Sequence, residues 1–270
     1  MIEFGLAGIG LLGPGLADWE HGREALRDPA TWVDTPTVLP APARLPPNER
    51  RRSGPLIKST LAVADQAVAM AGADPATLAT VFASSTGEPR VCHEICEALA
   101  LPERLVSPTR FTNSVHNAAA GYWHIATQSM APSTSLAAFD ASFGAGLLEA
   151  AVQCAHGRRP VLLVGCDVPY PEPLHALRPI ADCFAVALLL VPAEGRPLWR
   201  ARVSLPAAEA PTACAHLGLE ATRRGNPAAR ALPLLQALAG TSPASIVLEA
   251  ADALALRVDM WPGRGTEAAR

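Results

Sequence analysis

Two stretches in the middle of the chain, Val161–Cys166 and Phe184–Val191, contain no charged residue and no break. Unbroken apolar runs of that length predict strands covered on both faces. Shorter β-prone segments at Ile2–Ile9, Thr80–Ser85 and Thr134–Ala138 predict further strands. Between them the spacing turns helical. Leu56, Ala62, Val63, Ala67, Val68 and Met70 predict one helix from Asn48 to Ala71, ending at Gly72. Helices are also expected at Trp19–Leu26, Glu88–Leu99, Ser114–Gln128 and Ala141–His156. Asp28–Pro47 is too rich in proline for regular structure and reads as a surface connection. After Pro192 the pattern thins to a strand at Trp199–Leu205, a helix at Ala228–Ala239 closed by Gly240, strands at Ala244–Glu249 and Leu254–Val258, and a frayed tail from Gly263 to Arg270. This alternation predicts an α/β fold whose central sheet is mixed but mostly parallel, flanked by helices.

Composition narrows the function classes. The 270 residues are 50% hydrophobic and 17% charged, enough for a sizeable core. A net charge of −3 gives no electrostatic case for nucleic acid. Phe4–Ala17 is largely apolar, but Glu3 precedes it and glycines interrupt it. It reads neither as a signal peptide nor as a membrane span, so a cytoplasmic protein is expected. The six cysteines form no CxxC pair. Cys92 and Cys96 flank His93 on an expected helix, yet no second ligand pair accompanies them. Reduced thiols, no metal and no cofactor are expected.

The candidate chemistry lies at Ser133-Thr-Ser-Leu-Ala-Ala-Phe-Asp140-Ala-Ser-Phe-Gly-Ala-Gly-Leu-Leu-Glu-Ala150, where a short strand stops and a small-residue helix begins. Enzymes use such elbows to activate Cys or Ser. Here the elbow carries Asp140. A helix N-terminus favours an anion, so the carboxylate is expected to stay ionised and to cap the first turn. Ser142 is the alternative nucleophile. Asp140-Ala-Ser-Phe-Gly144 lacks only the first glycine of a hydrolase elbow, and Asp167 or Asp182 with His216 follow in the required order. A serine hydrolase therefore stays open.

The run Ser107-Pro-Thr-Arg-Phe-Thr-Asn-Ser-Val-His-Asn-Ala-Ala-Ala-Gly121, followed by that elbow, resembles the N-terminal half of a β-ketoacyl synthase of the thiolase fold. Leu45-Pro-Pro-Asn-Glu-Arg-Arg-Arg52, Val161-Leu-Leu-Val-Gly-Cys-Asp167 and Ile180-Ala-Asp-Cys-Phe-Ala-Val-Ala-Leu-Leu-Leu190 add to the resemblance. It covers residues 1–192, one thiolase half, with 193–270 as a short C-terminal α+β appendage packing on the same domain. The resemblance puts Asp140 where the family has its nucleophilic cysteine. The family's two catalytic histidines have no counterpart, since His156, His175 and His216 lie in other contexts.

The resemblance therefore implies a non-catalytic subunit, a truncated chain-length factor that pairs with a complete β-ketoacyl synthase and serves an acyl carrier protein. Short synthase-like proteins of bacterial aryl-polyene pathways, a type II polyketide system, are similar. A decarboxylating role at the Asp140 elbow is the remaining catalytic alternative within that family. Arg110, Phe111 and Phe139 are the expected tunnel and gate residues, with Arg110 tied to a carboxylate such as Glu88 or Asp140. Asn113, His116, Asn117, Phe143, Gly144, Ala145 and Gly146 are the expected interface, Gly144 and Gly146 permitting close helix contact. His116 also reads as an ordinary structural histidine. Arg50, Arg51, Arg52 and Lys58 open an expected helix, where cations oppose the dipole; a solvated face and a docking patch for the acidic carrier both fit.

Overall fold

The computed structural model describes residues 1–263, so all but the first residue of the expected Gly263–Arg270 tail lies outside the described residues. In chain order the elements are β1 (Ile2–Leu12), α1 (Trp19–Arg27), α2 (Pro47–Arg52), α3 (Pro55–Ala71), β2 (Ala79–Ala83), α4 (Pro89–Ala100), α5 (Pro108–Asn113) and α6 (Ala118–Thr127). There follow β3 (Ser133–Leu136), α7 (Ser142–Gly157), β4 (Val161–Asp167), α8 (Leu174–Leu177), β5 (Phe184–Val191) and β6 (Trp199–Ser204). The chain then forms α9 (Leu217–Gly225), α10 (Leu232–Ala239), β7 (Ala244–Ala251) and β8 (Leu254–Pro262).

One eight-stranded sheet, ordered β3-β2-β4-β5-β1-β6-β8-β7, runs through the molecule. The apolar runs are its centre. Along β4, Leu162 and Val164 enter the core under α3 and α6, while Val161 and Leu163 enter the core under α7. Both faces are covered, as unbroken runs require. The direction differs from expectation. Only β3–β2 and β2–β4 are parallel, and every pairing from β4–β5 to β7–β8 is antiparallel. Periodicity reports burial, not strand direction. The C-terminal strands continue the sheet through β6 on β1 and alternate. Ala201, Val203, Leu256, Val258 and Met260 face the core; Arg200, Arg202, Arg257 and Asp259 face water.

Two expected helices are divided and a third is shortened. Asn48–Ala71 breaks at Ser53-Gly54-Pro55, because the residue before a proline is pushed out of the helical region, and Gly54 is extended (ψ −179°). The break reverses the reading of the basic run. Arg50, Arg51 and Arg52 form the last turn of α2, where cations suit the helix dipole, and Arg50 donates to the Ala43 and Leu45 carbonyls. Ser114–Gln128 is helical only from Ala118, as α6, with the separate helix α5 before it, and Ala228–Ala239 is replaced by a 3₁₀ turn (Ala228–Ala231) followed by α10. Helix α3 lies directly on β1. A Cβ at Gly8 or Gly10 would overlap the Ala67 or Val63 carbonyl, so only glycine permits that approach. Gln66 on α3 locks the contact by bonding both Leu11 N–H (3.0 Å) and Leu11 C=O (3.1 Å).

Candidate functional site

The elbow forms where β3 ends and α7 begins. Phe139–Ala141 make one 3₁₀ turn, and Phe139 adopts φ +52°, a left-handed conformation uncommon for a bulky residue. Ser142 holds that turn together. Its hydroxyl donates to the Phe139 carbonyl (2.7 Å) and accepts from Ala138 N–H (3.0 Å), and the residue is 1% exposed. Helix α7 is anchored by Phe143, Leu147, Ala150, Ala151 and Cys154 on its buried face. Full burial of a Phe or Leu side chain contributes about 1.5–3 kcal/mol each.

Asp140 does not cap the helix. Its Oδ1 accepts from Arg178 at 2.6 Å, and its Oδ2 lies 3.7 Å from Arg230. Arg230 continues to Glu249 at 3.2 Å, tying the elbow to β7. Arg178 also stacks on Phe139, its guanidinium carbon 3.7 Å from the ring centroid. Outside Asp140 opens a cleft of about 510 Å³ lined by Arg178, Pro179, Ile180, Arg224 and Pro227. Arg178 and Arg230 carry no local signal in sequence that points to Asp140. They are the site residues that sequence reasoning missed.

The serine-hydrolase constellation is not assembled. Ser142 is buried with backbone partners. His216 caps α9 through Leu219 N–H (3.4 Å) and packs edge-on against Trp32. Asp182 accepts from Thr37 and Cys183 N–H groups. Asp167 accepts from Ser84 Oγ (3.1 Å), Ser85 N–H (2.7 Å) and Ser85 Oγ (2.7 Å). Burial lifts the Asp167 carboxyl to about 6 against those hydrogen bonds.

Several expected site residues are placed differently. Gly144 and Gly146 are interior, not interfacial. A Cβ on Gly144 would overlap the Glu249 carbonyl of β7, and one on Gly146 would press on Ala83 and Leu163. Phe143 is likewise buried at 1% exposure, and Ala145 is half-buried. The small residues of α7 serve its own sheet. Arg110 pairs with Glu94 (2.9 Å), not with Glu88 or Asp140. Glu88 is instead buried beneath the start of α3, accepting from Leu56 N–H (3.3 Å), and burial lifts its carboxyl to about 7. Phe111 stands 65% exposed beside Arg110. Asn113 is buried and accepts from Tyr122 Oη; His116 donates to the Ser84 carbonyl; Asn117 is exposed.

The sheet edge beside the elbow is open. Pro132 and Leu136 carbonyls accept from Thr80 and Ser84. Strand alternation then turns the N–H and C=O of Ser133 and Ser135 away from β2. Next to them a groove of about 390 Å³ runs between β3 and α6, lined by Asn117, Gly121, His124, Ser133 and Ser135. A Cβ at Gly121 would meet nothing within 4 Å.

The family model of the β-ketoacyl synthase N-terminal domain matches residues 19–249. The chain belongs to the β-ketoacyl synthase family. A ketosynthase (ApeO) in complex with its chain length factor (ApeC) from Xenorhabdus doucetiae is similar at 22% identity and a TM-score of 0.71, covering 97% of this chain and 100% of that one. The ishigamide ketosynthase/chain length factor is similar at 14% identity and a TM-score of 0.69, over 96% and 99% of the two chains. A β-ketoacyl synthase from Burkholderia phymatum STM815 gives 17% identity and a TM-score of 0.56, over 71% of this chain and 59% of that one. At these identities the likeness is one of fold. The comparison with curated proteins finds no match. Among the described residues no helix is long and apolar enough to cross a membrane, and no group of three or more His, Cys, Asp or Glu side chains is placed to hold a metal ion.

Proposed function

We propose that this β-ketoacyl synthase family member is a non-catalytic subunit, a chain-length factor that pairs with a complete, cysteine-bearing β-ketoacyl synthase and shapes its acyl tunnel. The observation that carries the reading is the elbow. The resemblance gives this position to a thiolate, and here it holds a carboxylate engaged by Arg178 and Arg230. A carboxylate so paired is a poor acyl carrier, because its acylation would give a mixed anhydride and leave the Arg178 guanidinium without its counter-ion. Ser142 offers no substitute, since its hydroxyl is spent on the turn.

Pairing is supported by the open β3 edge, whose outward backbone groups need a partner strand. Arg110 and Phe111, exposed on α5, are proposed to close the far end of the partner's tunnel. Arg51, Arg52 and Lys58 are proposed to meet the acidic carrier protein. Acyl-carrier-bound polyenes are the proposed product class, and the cytoplasm the proposed compartment.

The test is co-expression with the complete β-ketoacyl synthase encoded nearest to this gene. Wild type is expected to purify as a one-to-one complex. Ser135→Pro removes one outward N–H while leaving the β2 ladder, and Gly121→Trp fills the groove; each is expected to abolish co-purification. Phe111→Ala in an intact complex is expected to lengthen the product by a few carbons, since each extra buried methylene gains about 0.8 kcal/mol. Normal co-purification of both edge variants overturns the pairing surface, and an unchanged product length overturns the gate.

A further inference from the structure

Resting on that pairing, we infer that Asp140 is a positioning residue: through Arg178 it holds Phe139 as a rigid apolar anchor that enters the partner synthase. Three observations converge on Phe139. Its ring is 64% exposed, at the start of a turn whose end, Ala141 and Ser142, is buried. Its backbone is held at φ +52°, which costs free energy that the surrounding bonds of Ser142 must offset. Its one covered face lies against Arg178 at 3.7 Å. An exposed aromatic ring fixed by strain and stacking has little freedom left to lose on binding, and aromatic and arginine anchors of that kind dominate association energies.

The role of Asp140 follows from an asymmetry between the two arginines. Arg230 has a second carboxylate in Glu249. Arg178 pairs, among the described residues, with Asp140 alone. The Nε of each arginine is buried without a hydrogen-bond partner, so the second carboxylate is what separates the two. Neutralising Asp140 therefore leaves Arg230 in place and releases Arg178, and with it the stack on Phe139. The occupant is the partner synthase because Phe139 lies three residues beyond the end of the open strand at Leu136. At about 3.3 Å per residue, a strand laid along Ser133–Leu136 brings its own chain to the ring.

The experiment is a double-mutant cycle on affinity for that neighbouring synthase, with the melting temperature of each free chain recorded alongside. Phe139→Ala is expected to weaken binding roughly thirtyfold. Asp140→Asn, nearly isosteric, is expected to weaken it about tenfold in the Phe139 background and not further in the Phe139→Ala background. Arg178→Gln, a second variant that removes the stack without touching the elbow, should behave as Asp140→Asn does. Binding of Phe139→Ala at wild-type strength overturns the anchor. An equal loss from Asp140→Asn with and without Phe139 would mean a merely structural carboxylate and overturns the positioning role. Failure of the wild-type chain to bind the synthase refutes the pairing itself, a result separate from either.

Discussion

At its β7 end the sheet is covered by its own chain, and at its β3 end it is not. Beyond β7, Thr212 donates its N–H to the Val247 carbonyl (2.9 Å) and accepts from Val247 N–H through Oγ1 (2.9 Å). The strand is eight residues long, and α7 presses Gly144 against its backbone. The β3 strand has four residues, half-exposed serine and threonine for the most part, and its outward groups find no cover among the described residues. Carboxylates are held in two ways across the molecule. Some are paired: Asp140 with Arg178, and Glu220, hydrogen-bonded to Arg223 at 2.7 Å and held down to about 2. Others are raised by burial, Glu88 to about 7 and Asp167 to about 6. One end is bonded by its own chain, and the other leaves its outward groups open among the described residues.

The comparison breaks first at Gly144. Gly144→Leu should destabilise the free chain by about 3 kcal/mol or more, because the clash is with β7 backbone that cannot yield. Denaturant unfolding of a variant as stable as wild type would mean that α7 does not pack there. Next comes pH. A carboxyl raised on folding binds its proton more tightly in the native state, so stability falls as pH rises from about 4.5 toward 7. For Glu88 the loss is on the order of 3 kcal/mol, and Glu88→Gln should flatten that slope. Glu220 acts in the opposite sense: its contribution is present above about 4.5 and lost as pH falls toward 2. Thr212→Val should cost about 1–2 kcal/mol by stranding the buried Val247 N–H, again read from denaturant unfolding. The smallest effect on the fold belongs to Gly121→Trp. Its stability should stay within about 0.5 kcal/mol of wild type while co-purification is lost, and a large drop in melting temperature would remove the groove from the surface.

Elements were legible wherever burial alone decided them. Val161–Cys166 and Phe184–Val191 are strands because nothing else hides so many consecutive apolar side chains. The cut at Ser53-Gly54-Pro55 was not read, because the helical spacing of apolar residues runs on to Ala71 and hides the restriction that Pro55 places on its predecessor. Nor was helix α9. Leu217 is exposed, and only Leu219 supplies a deeply buried apolar side chain, so the apolar stripe is too sparse to announce it. Strand direction leaves no trace in periodicity. At the site, the sequence showed that a carboxylate stands in the elbow but not what it binds, since Arg178 lies 38 residues away and is placed by the fold. Gly144 and Gly146 pointed to close packing, correctly, but small residues do not say against which surface.

The Thr212 strap also bears on the stoichiometry of the proposed pairing. A body with two bare sheet edges can add copies end to end without limit, because each addition exposes a fresh edge for the next. With Val247 already bonded from within by Thr212, the β3 edge is the margin left open among the described residues, so the proposed pairing would end strand addition at two chains instead of continuing into a filament.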